Sequence, residues 1–218
     1  MDYRELMQDP EILAYYRKGN EILGHLGFTD HSAGHAALVA KQAAQLLAEL
    51  GYPEHEMELA RIAGFLHDIG NAVNRSHHAE YGALLVNDIL RKYDMPLEDR
   101  VTVVAAIANH DESTGTASDP VSAALIIADK TDVRRNRVRT KDPVQFDIHD
   151  RVNYAVTGQN LLYDKEKNTI TLNLQIDESI CTMYDYFEIF LNRMVMCRRA
   201  AEVLGVTFRL KANGQKVL

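Results

Sequence analysis

The chain has no tryptophan, only two cysteines and five prolines, and no long uninterrupted apolar run among its 218 residues. Cys181 and Cys197 lie in one segment with helical spacing, too far apart on a rigid helix to form a disulfide. No apolar run has the length that crossing a membrane requires. No positively charged segment followed by an apolar stretch opens the chain. We therefore expect a cytoplasmic protein with reduced thiols and no membrane association.

The chain also lacks an excess of basic residues. Its net charge of −7 argues against nonspecific attraction to polyanions, so we do not expect nucleic acid as a partner. The one basic cluster runs from Arg134 to Lys141. It is either a solvated segment that pairs with acidic residues or a phosphate-binding segment, since arginine presents a planar fork of donors that matches phosphate oxygens.

Apolar residues make up 46% of the chain, which suffices for a substantial core. Up to Arg135 their spacing is helical, and caps with prolines mark several starts. Asp9-Pro10 predicts a short first helix, and Asp30 and Ser76 are predicted caps of later ones. Five further helices, predicted to form a compact bundle, cover residues 33–50, 54–69, 76–95, 96–110 and 121–135.

The pattern changes after Tyr154. Period-two alternation in 161–163 and 169–176 predicts a β-hairpin with a five-residue turn. A long helix over 179–204 and a third strand over 206–211 are predicted to follow. The expected class is mainly α, with a helical domain over 1–155 and a small α+β appendage over 156–218. We expect this appendage to cover the helical core or to form the contact of a homodimer.

His67 and Asp68 interrupt an apolar helix end. A buried imidazole beside a buried carboxylate is costly unless both are satisfied, and a divalent cation satisfies both. The alternative is a buried hydrogen-bonded pair without metal. Further histidines and an aspartate suited to a metal break other predicted helices, namely His35, His78, His110 and Asp129. Six ligands exceed the need of one tetrahedral ion, so two ions bridged by a carboxylate are the natural count.

The order of these residues resembles the HD-domain metal-dependent phosphohydrolases. His35 matches the family's first histidine, His67-Asp68 its doublet and Asp129 its last aspartate, while His78 and His110 resemble the extra histidines of binuclear members. The resemblance runs from about Asp30 to about Arg135. The helical HD fold and a metal site made of these six residues are what it implies.

Within this superfamily the chain is most similar to the HD-type enzymes that cleave diadenosine tetraphosphate symmetrically. It departs from them, and from the HD-GYP cyclic-dinucleotide phosphodiesterases, by having Asn71 where a lysine is common. The Gly-Tyr-Pro signature of the second group is also missing after His110. The resemblance thus implies a nucleotide or another phosphoester as substrate, and a cyclic-dinucleotide substrate is disfavoured.

The implied reaction is phosphoester or phosphoanhydride hydrolysis with two divalent ions. Imidazole-rich ligands favour iron or manganese, with zinc or magnesium as alternatives. Asp68 would bridge the ions, and Lys130 and Arg134 would neutralise charge on the phosphoryl oxygens. Asp111 and Asp132 are candidates for orienting the ligand imidazoles. Three alternatives stay open: a mononuclear nucleotidase without His78 and His110, a di-iron oxygenase, and a regulator that binds a nucleotide without turnover.

Overall fold

The computed structural model describes residues 3–139 and 148–217. Helices dominate this part of the chain, so the predicted mainly α class is confirmed. None of these helices combines the length and the apolar character needed to cross a membrane. The helices are α1 (Tyr3–Leu6), α2 (Pro10–His25), α3 (Ala33–Glu49), α4 (Glu54–Leu66), α5 (His78–Lys92), α6 (Leu97–Ala108), α7 (Pro120–Lys130), α8 (Ile148–Ala155) and α9 (Met183–Val203). The strands are β1 (Val156–Asp164), β2 (Thr169–Ile176), β3 (Thr207–Ala212) and β4 (Gln215–Lys216).

Side-chain caps fix several helix starts. The Asp9 side chain accepts hydrogen bonds from the backbone amides of Glu11 and Ile12, so the predicted cap of α2 is confirmed. Asp119 and Ser122 form a reciprocal capping box at α7. The predicted cap Asp30 is wrong, because Ser32 caps α3 and donates its hydroxyl to the Asp30 carboxylate.

Two further predicted bounds are wrong. Ser76 does not cap α5, because Asn74 holds the Ser76 amide in a turn and the cap position falls to His77 in the left-handed region, with φ 63°. Helix α7 ends at Lys130 and not at Arg135. Beyond that point the chain turns away from the helix. The turn directs the Asp132 carboxylate to His35 on α3, with which it forms a hydrogen bond.

Helix α7 is the centre of the bundle. Its residues from Val121 to Ala128 are all buried, and α3, α4, α6 and α9 pack around it. Helices α3 and α4 lie very close, since a Cβ atom added at Gly64 would meet the backbone of Ala40 at 2.7 Å. One continuous cluster of buried apolar residues extends from Leu6 in α1 to Ala212 in β3.

The C-terminal strands form a four-stranded sheet in the order β1-β2-β3-β4. Strands β1 and β2 form the predicted antiparallel hairpin, although β1 begins five residues earlier than predicted. Strand β3 pairs parallel to β2, with Leu172 opposite Leu210. Because parallel neighbours need a long crossover, α9 makes that connection. The two-residue strand β4 was not predicted.

Candidate metal centre

The structure brings the six predicted metal ligands together in the interior of the bundle. These residues come from five separate segments of the chain, because His67 and Asp68 are neighbours. Each segment places its ligands at or near the end of a helix. All are buried or nearly so. The residues are His35 in the first turn of α3, His67 and Asp68 after α4, His78 at the start of α5, His110 after α6 and Asp129 near the end of α7.

His35, His67 and Asp129 form a first group, because their ligand atoms all lie within 4.8 Å of one another, and Asp68 lies beside it. Atom Nε2 of His35 lies 3.3 Å from Oδ1 of Asp129, and Nε2 of His67 lies 3.3 Å from Oδ2 of Asp68. Ligands at about 2.1 Å from one ion stand roughly 3.0–3.4 Å apart, so the spacing suits a shared cation. Among the described residues, His35 Nε2, His67 Nε2 and Asp68 Oδ2 are buried without a hydrogen-bond partner. A divalent ion would satisfy all three.

The electrostatics of this group favour positive charge. Burial acts to lower the pKa of His67, but the charges of Asp68 and Asp129 outweigh burial and raise it to about 10. Burial acts to raise the pKa of Asp68, but the neighbouring imidazoles hold it well below its usual range. In the absence of metal a proton on His67 therefore supplies the positive charge that a cation would otherwise provide.

His78 and His110 form a second group with Asp68. Their Nε2 atoms lie 3.2 Å apart, and His78 Nε2 is 3.7 Å from Oδ1 of Asp68. Burial, together with the positive charges of His67 and His78, lowers the pKa of His110 to about 3, which keeps its imidazole in the neutral form that binds metals. Asp68 directs Oδ2 to His67 and Oδ1 to His78, and together with His67 and His110 it presents ligand atoms within 4.8 Å of one another.

The other ring nitrogen of each histidine is held by an acceptor, which leaves Nε2 for an ion. Asp132 Oδ2 accepts from His35 Nδ1 at 2.7 Å, as predicted. Asp111 does not orient an imidazole in this way: it accepts hydrogen bonds from Ser113 and stays 3.9 Å from His78. For the remaining rings the partner of Nδ1 is a backbone carbonyl. The carbonyl of Gly64 accepts from His67, that of Arg75 from His78 and that of Ile107 from His110.

Asn71, which stands where the family resemblance led us to expect a lysine, supports Asp68 directly. Its side-chain amide donates to Oδ1 of Asp68 at 2.8 Å and to the Asp68 backbone carbonyl at 2.9 Å. The Arg75 guanidinium in turn donates to the Asn71 carbonyl oxygen at 3.2 Å. Sequence reasoning left Asn71 without a role, because the substitution alone does not reveal which neighbour the shorter side chain reaches.

The ligands open onto a cavity of about 180 Å³, and its lining includes four cationic side chains, Arg75, Lys130, Arg137 and Arg193, and three carboxylates, Asp68, Glu112 and Asp129. Lys130 lines it and pairs with Asp129 Oδ2 at 2.7 Å and Glu112 Oε2 at 3.1 Å. Arg134 does not line it, because its guanidinium is paired with Asp132. Residues 140 and 141 of the basic cluster lie outside the described residues. Arg137, which belongs to the predicted basic cluster, lines the cavity, and so do Arg75 and Arg193, which were not predicted for the site.

Arg75 and Arg193 carry no local sequence signal. Arg75 only follows a predicted ligand in the chain, which is too weak a pattern to select it. Arg193 lies on α9, far along the chain from every metal ligand, and only the packing of α9 against α7 brings it to the cavity.

Fold and site together define a mainly helical protein with a buried cluster of histidines and aspartates suited to divalent metal. Residues 32–136, just under half of the chain, match the HD domain family. All six candidate ligands fall within this segment, whereas Arg193 and the sheet lie beyond it.

Three relatives are similar to parts of the chain. An uncharacterized protein of Methanocaldococcus jannaschii, MJ1020, is 30% identical over 173 residues, which are 68% of this chain and 66% of that protein. Ribonuclease Y of Enterococcus faecalis is 37% identical over 114 residues, or 48% of this chain. Ribonuclease Y 1 of Pediococcus pentosaceus is 33% identical over 115 residues, or 53% of this chain. The matched segments span only 20% of each ribonuclease.

A solved structure is also similar. It is the crystal structure of a predicted HD superfamily hydrolase from an uncultured Thermotogales bacterium, with 26% sequence identity and a TM-score of 0.45. The similarity covers 62% of this chain and 75% of that one.

Proposed function

We propose that the protein is a metal-dependent phosphohydrolase that cleaves a phosphoester or phosphoanhydride of a nucleotide-like substrate. The observation that carries the proposal is the position of Asp68, whose Oδ2 faces His67 and whose Oδ1 faces His78, beneath a cavity that Lys130 and three arginines help to line. Two divalent ions held there would supply an activated water and would neutralise charge on the phosphoryl oxygens. The richness in imidazole favours iron or manganese over zinc or magnesium.

Side chains of the cavity would bind and orient the substrate. Lys130 and Arg75 present an ammonium and a guanidinium group to the space above the ligands, where they would attract phosphoryl oxygens. Phe28 lines the same cavity with a half-exposed ring, and the Arg75 guanidinium lies 5.2 Å from the ring centroid. An accessible aromatic face of this kind suits stacking of a nucleobase, which supports a nucleotide-like substrate.

Two alternatives differ from the proposal in measurable ways. A mononuclear nucleotidase would use His35, His67, Asp68 and Asp129 alone and would bind about one ion per chain when fully active. A nucleotide-sensing regulator would bind its ligand tightly and release no product. The approach of the His78 and His110 Nε2 atoms to 3.2 Å favours a second ion over the mononuclear alternative.

Metal analysis combined with a substrate screen tests the proposal. The purified protein would be chelated, reloaded with Mn²⁺ or Fe²⁺, and assayed with mononucleotides, dinucleoside polyphosphates and simple phosphoesters. A short RNA belongs in the screen because two relatives are named ribonucleases.

We expect hydrolysis that chelation abolishes and metal restores. We also expect loss of that activity in His67→Ala and Asp68→Ala, with His55→Ala as a control because His55 is exposed on α4. Metal-restored hydrolysis that persists in both site variants would overturn the proposal.

A further inference from the structure

Arg193 reaches the cavity from outside the HD segment. It lies on α9, and the cavity that holds the metal ligands includes it in its lining. Its Nε atom donates to Oε1 of Glu112 at 3.0 Å, and its guanidinium lies 4.7 Å from the centroid of the Phe190 ring. The ion pair and the cation–π contact hold the guanidinium in a defined position.

A row of alternating charges leads from the metal ligands to Arg193. Asp129 pairs with Lys130, Lys130 with Glu112, and Glu112 with Arg193. Arg193 therefore lies at the far end of this row from the metal ligands, with Lys130 and Glu112 between them. An anion at Arg193 would contact other side chains than a group bound at the ligands.

The free face of Arg193 suits a phosphoryl group. Glu112 engages Nε only, and neither terminal guanidinium nitrogen has a hydrogen-bond partner among residues 3–139 and 148–217. The side chain is 26% exposed and lines the cavity. Two parallel N–H donors match two oxygens of one phosphoryl or phosphonyl group.

We propose that Arg193 is a specificity-determining residue that binds a second phosphoryl group of the substrate while the first lies at the metal ligands. This inference rests on the proposed function, and it names the substrate class as one with two linked phosphoryl groups. Glu112 is the corresponding positioning residue, because it fixes both Lys130 and Arg193.

Binding of two probes to the Mn²⁺-loaded protein tests this proposal. Methylenediphosphonate carries two linked phosphonyl groups that cannot be hydrolysed, and methylphosphonate carries one. Calorimetric titration of each probe would be compared between the parent and Arg193→Gln, since glutamine keeps good helix propensity. The matched control is Arg198→Gln, which makes the same charge change at an exposed position on α9.

We expect Arg193→Gln to weaken methylenediphosphonate binding at least tenfold and to change methylphosphonate binding less than twofold. Arg198→Gln should change neither value. Arg193→Lys keeps the positive charge opposite Glu112 but loses the planar guanidinium, so we expect its loss of methylenediphosphonate affinity to be intermediate. This variant replaces Arg193→Gln in the test if the glutamine variant folds poorly.

Equal weakening of both probes, or no weakening of either, would overturn the role of Arg193. The outcome is separable from that of the proposed function. If the parent hydrolyses no substrate but the selective loss is observed, the second anion site stands and the hydrolase proposal fails. If hydrolysis is observed without the selective loss, the hydrolase proposal stands and the role of Arg193 fails.

Discussion

At the scale of single residues, the site depends on side chains that hold the ligands as much as on the ligands themselves. Asn71 donates to one carboxylate oxygen of Asp68 and so helps to direct the other oxygen towards His67. Groups that orient a metal ligand commonly affect metal affinity strongly. The Asn71 amide therefore supports the candidate metal centre by holding the Asp68 carboxylate in place.

Replacing Asn71 by leucine removes the donor while keeping a similar volume. We expect the affinity for Mn²⁺ to fall by roughly 10–100-fold, because Asp68 loses the bond that orients it. Isothermal titration of the metal-free protein measures the change. Asn87→Leu is a control, since Asn87 lies on α5 away from the cavity lining. An unchanged affinity in Asn71→Leu would show that Asp68 is oriented without it.

The sequence allowed the candidate metal ligands to be predicted, but it did not predict most of the side chains that surround them. His35, His67 and Asp129 could be found because metal ligands interrupt apolar helical patterns, which is a local signal. Asn71 and Arg193 act through contacts set by packing, and their residue types are ordinary at polar positions. Arg134 illustrates the reverse error: its neighbours made it a phosphate-binding candidate, but Asp132 engages its guanidinium.

At the scale of elements, the helix starts show which local signals suffice. The Asp9-Pro10 pair predicted the start of α2 correctly, because a capping side chain and proline act within one turn. The start of α5 was misassigned because the turn before it depends on Asn74 and a left-handed His77. The parallel pairing of β2 and β3 depends on tertiary packing and has no local signal.

The cap of α2 predicts a pH-dependent stability. Partial burial acts to raise the pKa of Asp9, but hydrogen bonds from Tyr93, Ile12 and Glu11 outweigh it and lower that pKa below 3.8. A carboxylate with a lowered pKa stabilises the fold above its ordinary pKa, and this contribution is lost as the pH falls through the folded-state value. Asp9→Asn keeps a capping side chain but no longer titrates.

Urea unfolding between pH 7 and pH 3 measures the effect. We expect the parent to be more stable than Asp9→Asn at pH 7, with the difference shrinking as the pH falls below about 4. Asp9→Ala should lose about 1 kcal/mol at pH 7, because the cap itself is removed. A difference between the parent and Asp9→Asn that grows in acid would contradict the assignment.

The contact between the turn 69–72 and α5 depends on a glycine. A Cβ atom added at Gly70 would lie 2.0 Å from the carbonyl oxygen of His78 and 2.5 Å from the amide nitrogen of Gly82. Gly70→Ala must therefore displace the first turn of α5, which carries His78. We expect a loss of about 1–3 kcal/mol in unfolding free energy and weaker binding of the second ion.

Chemical denaturation and metal stoichiometry together check the Gly70 prediction. Gly27→Ala is not a suitable control, because Gly27 has a φ of 81° and alanine there is strained for a different reason. Gly34→Ala is suitable, since its added Cβ would meet only the Ser32 hydroxyl at 3.4 Å. Two ions bound to Gly70→Ala with parental affinity would contradict the expected displacement.

At the scale of the whole molecule, one apolar core joins the HD segment to the C-terminal sheet. Buried residues continue from α1 to β3, and α9 packs against the central helix α7. The division into domains 1–155 and 156–218 stays a prediction, as does the homodimer. Candidate ligand atoms that are buried without hydrogen-bond partners lie within this core. A metal ion that bound to them would therefore also stabilise the folded chain.

Removal of metal should lower the thermal stability of the protein. An ion that binds only the folded state, at 100 times its dissociation constant, stabilises by about 2.7 kcal/mol. For a chain of this size we expect a rise in Tm of roughly 5–10 °C per site when Mn²⁺ is added after chelation. Differential scanning calorimetry measures the rise. The same rise in His67→Ala would indicate that the metal acts elsewhere.

The contacts that complete the cavity join parts of the chain that are far apart in sequence. His35 and the Asp132 carboxylate that holds its imidazole are separated by 97 residues, and Glu112 and Arg193 by 81 residues. Contacts of such separation form late, because the entropy of closing a long loop must be overcome first. We therefore expect that a chain emerging from the ribosome cannot complete this cavity before α9 has been synthesised, so that any activity at the site appears only after that point of translation.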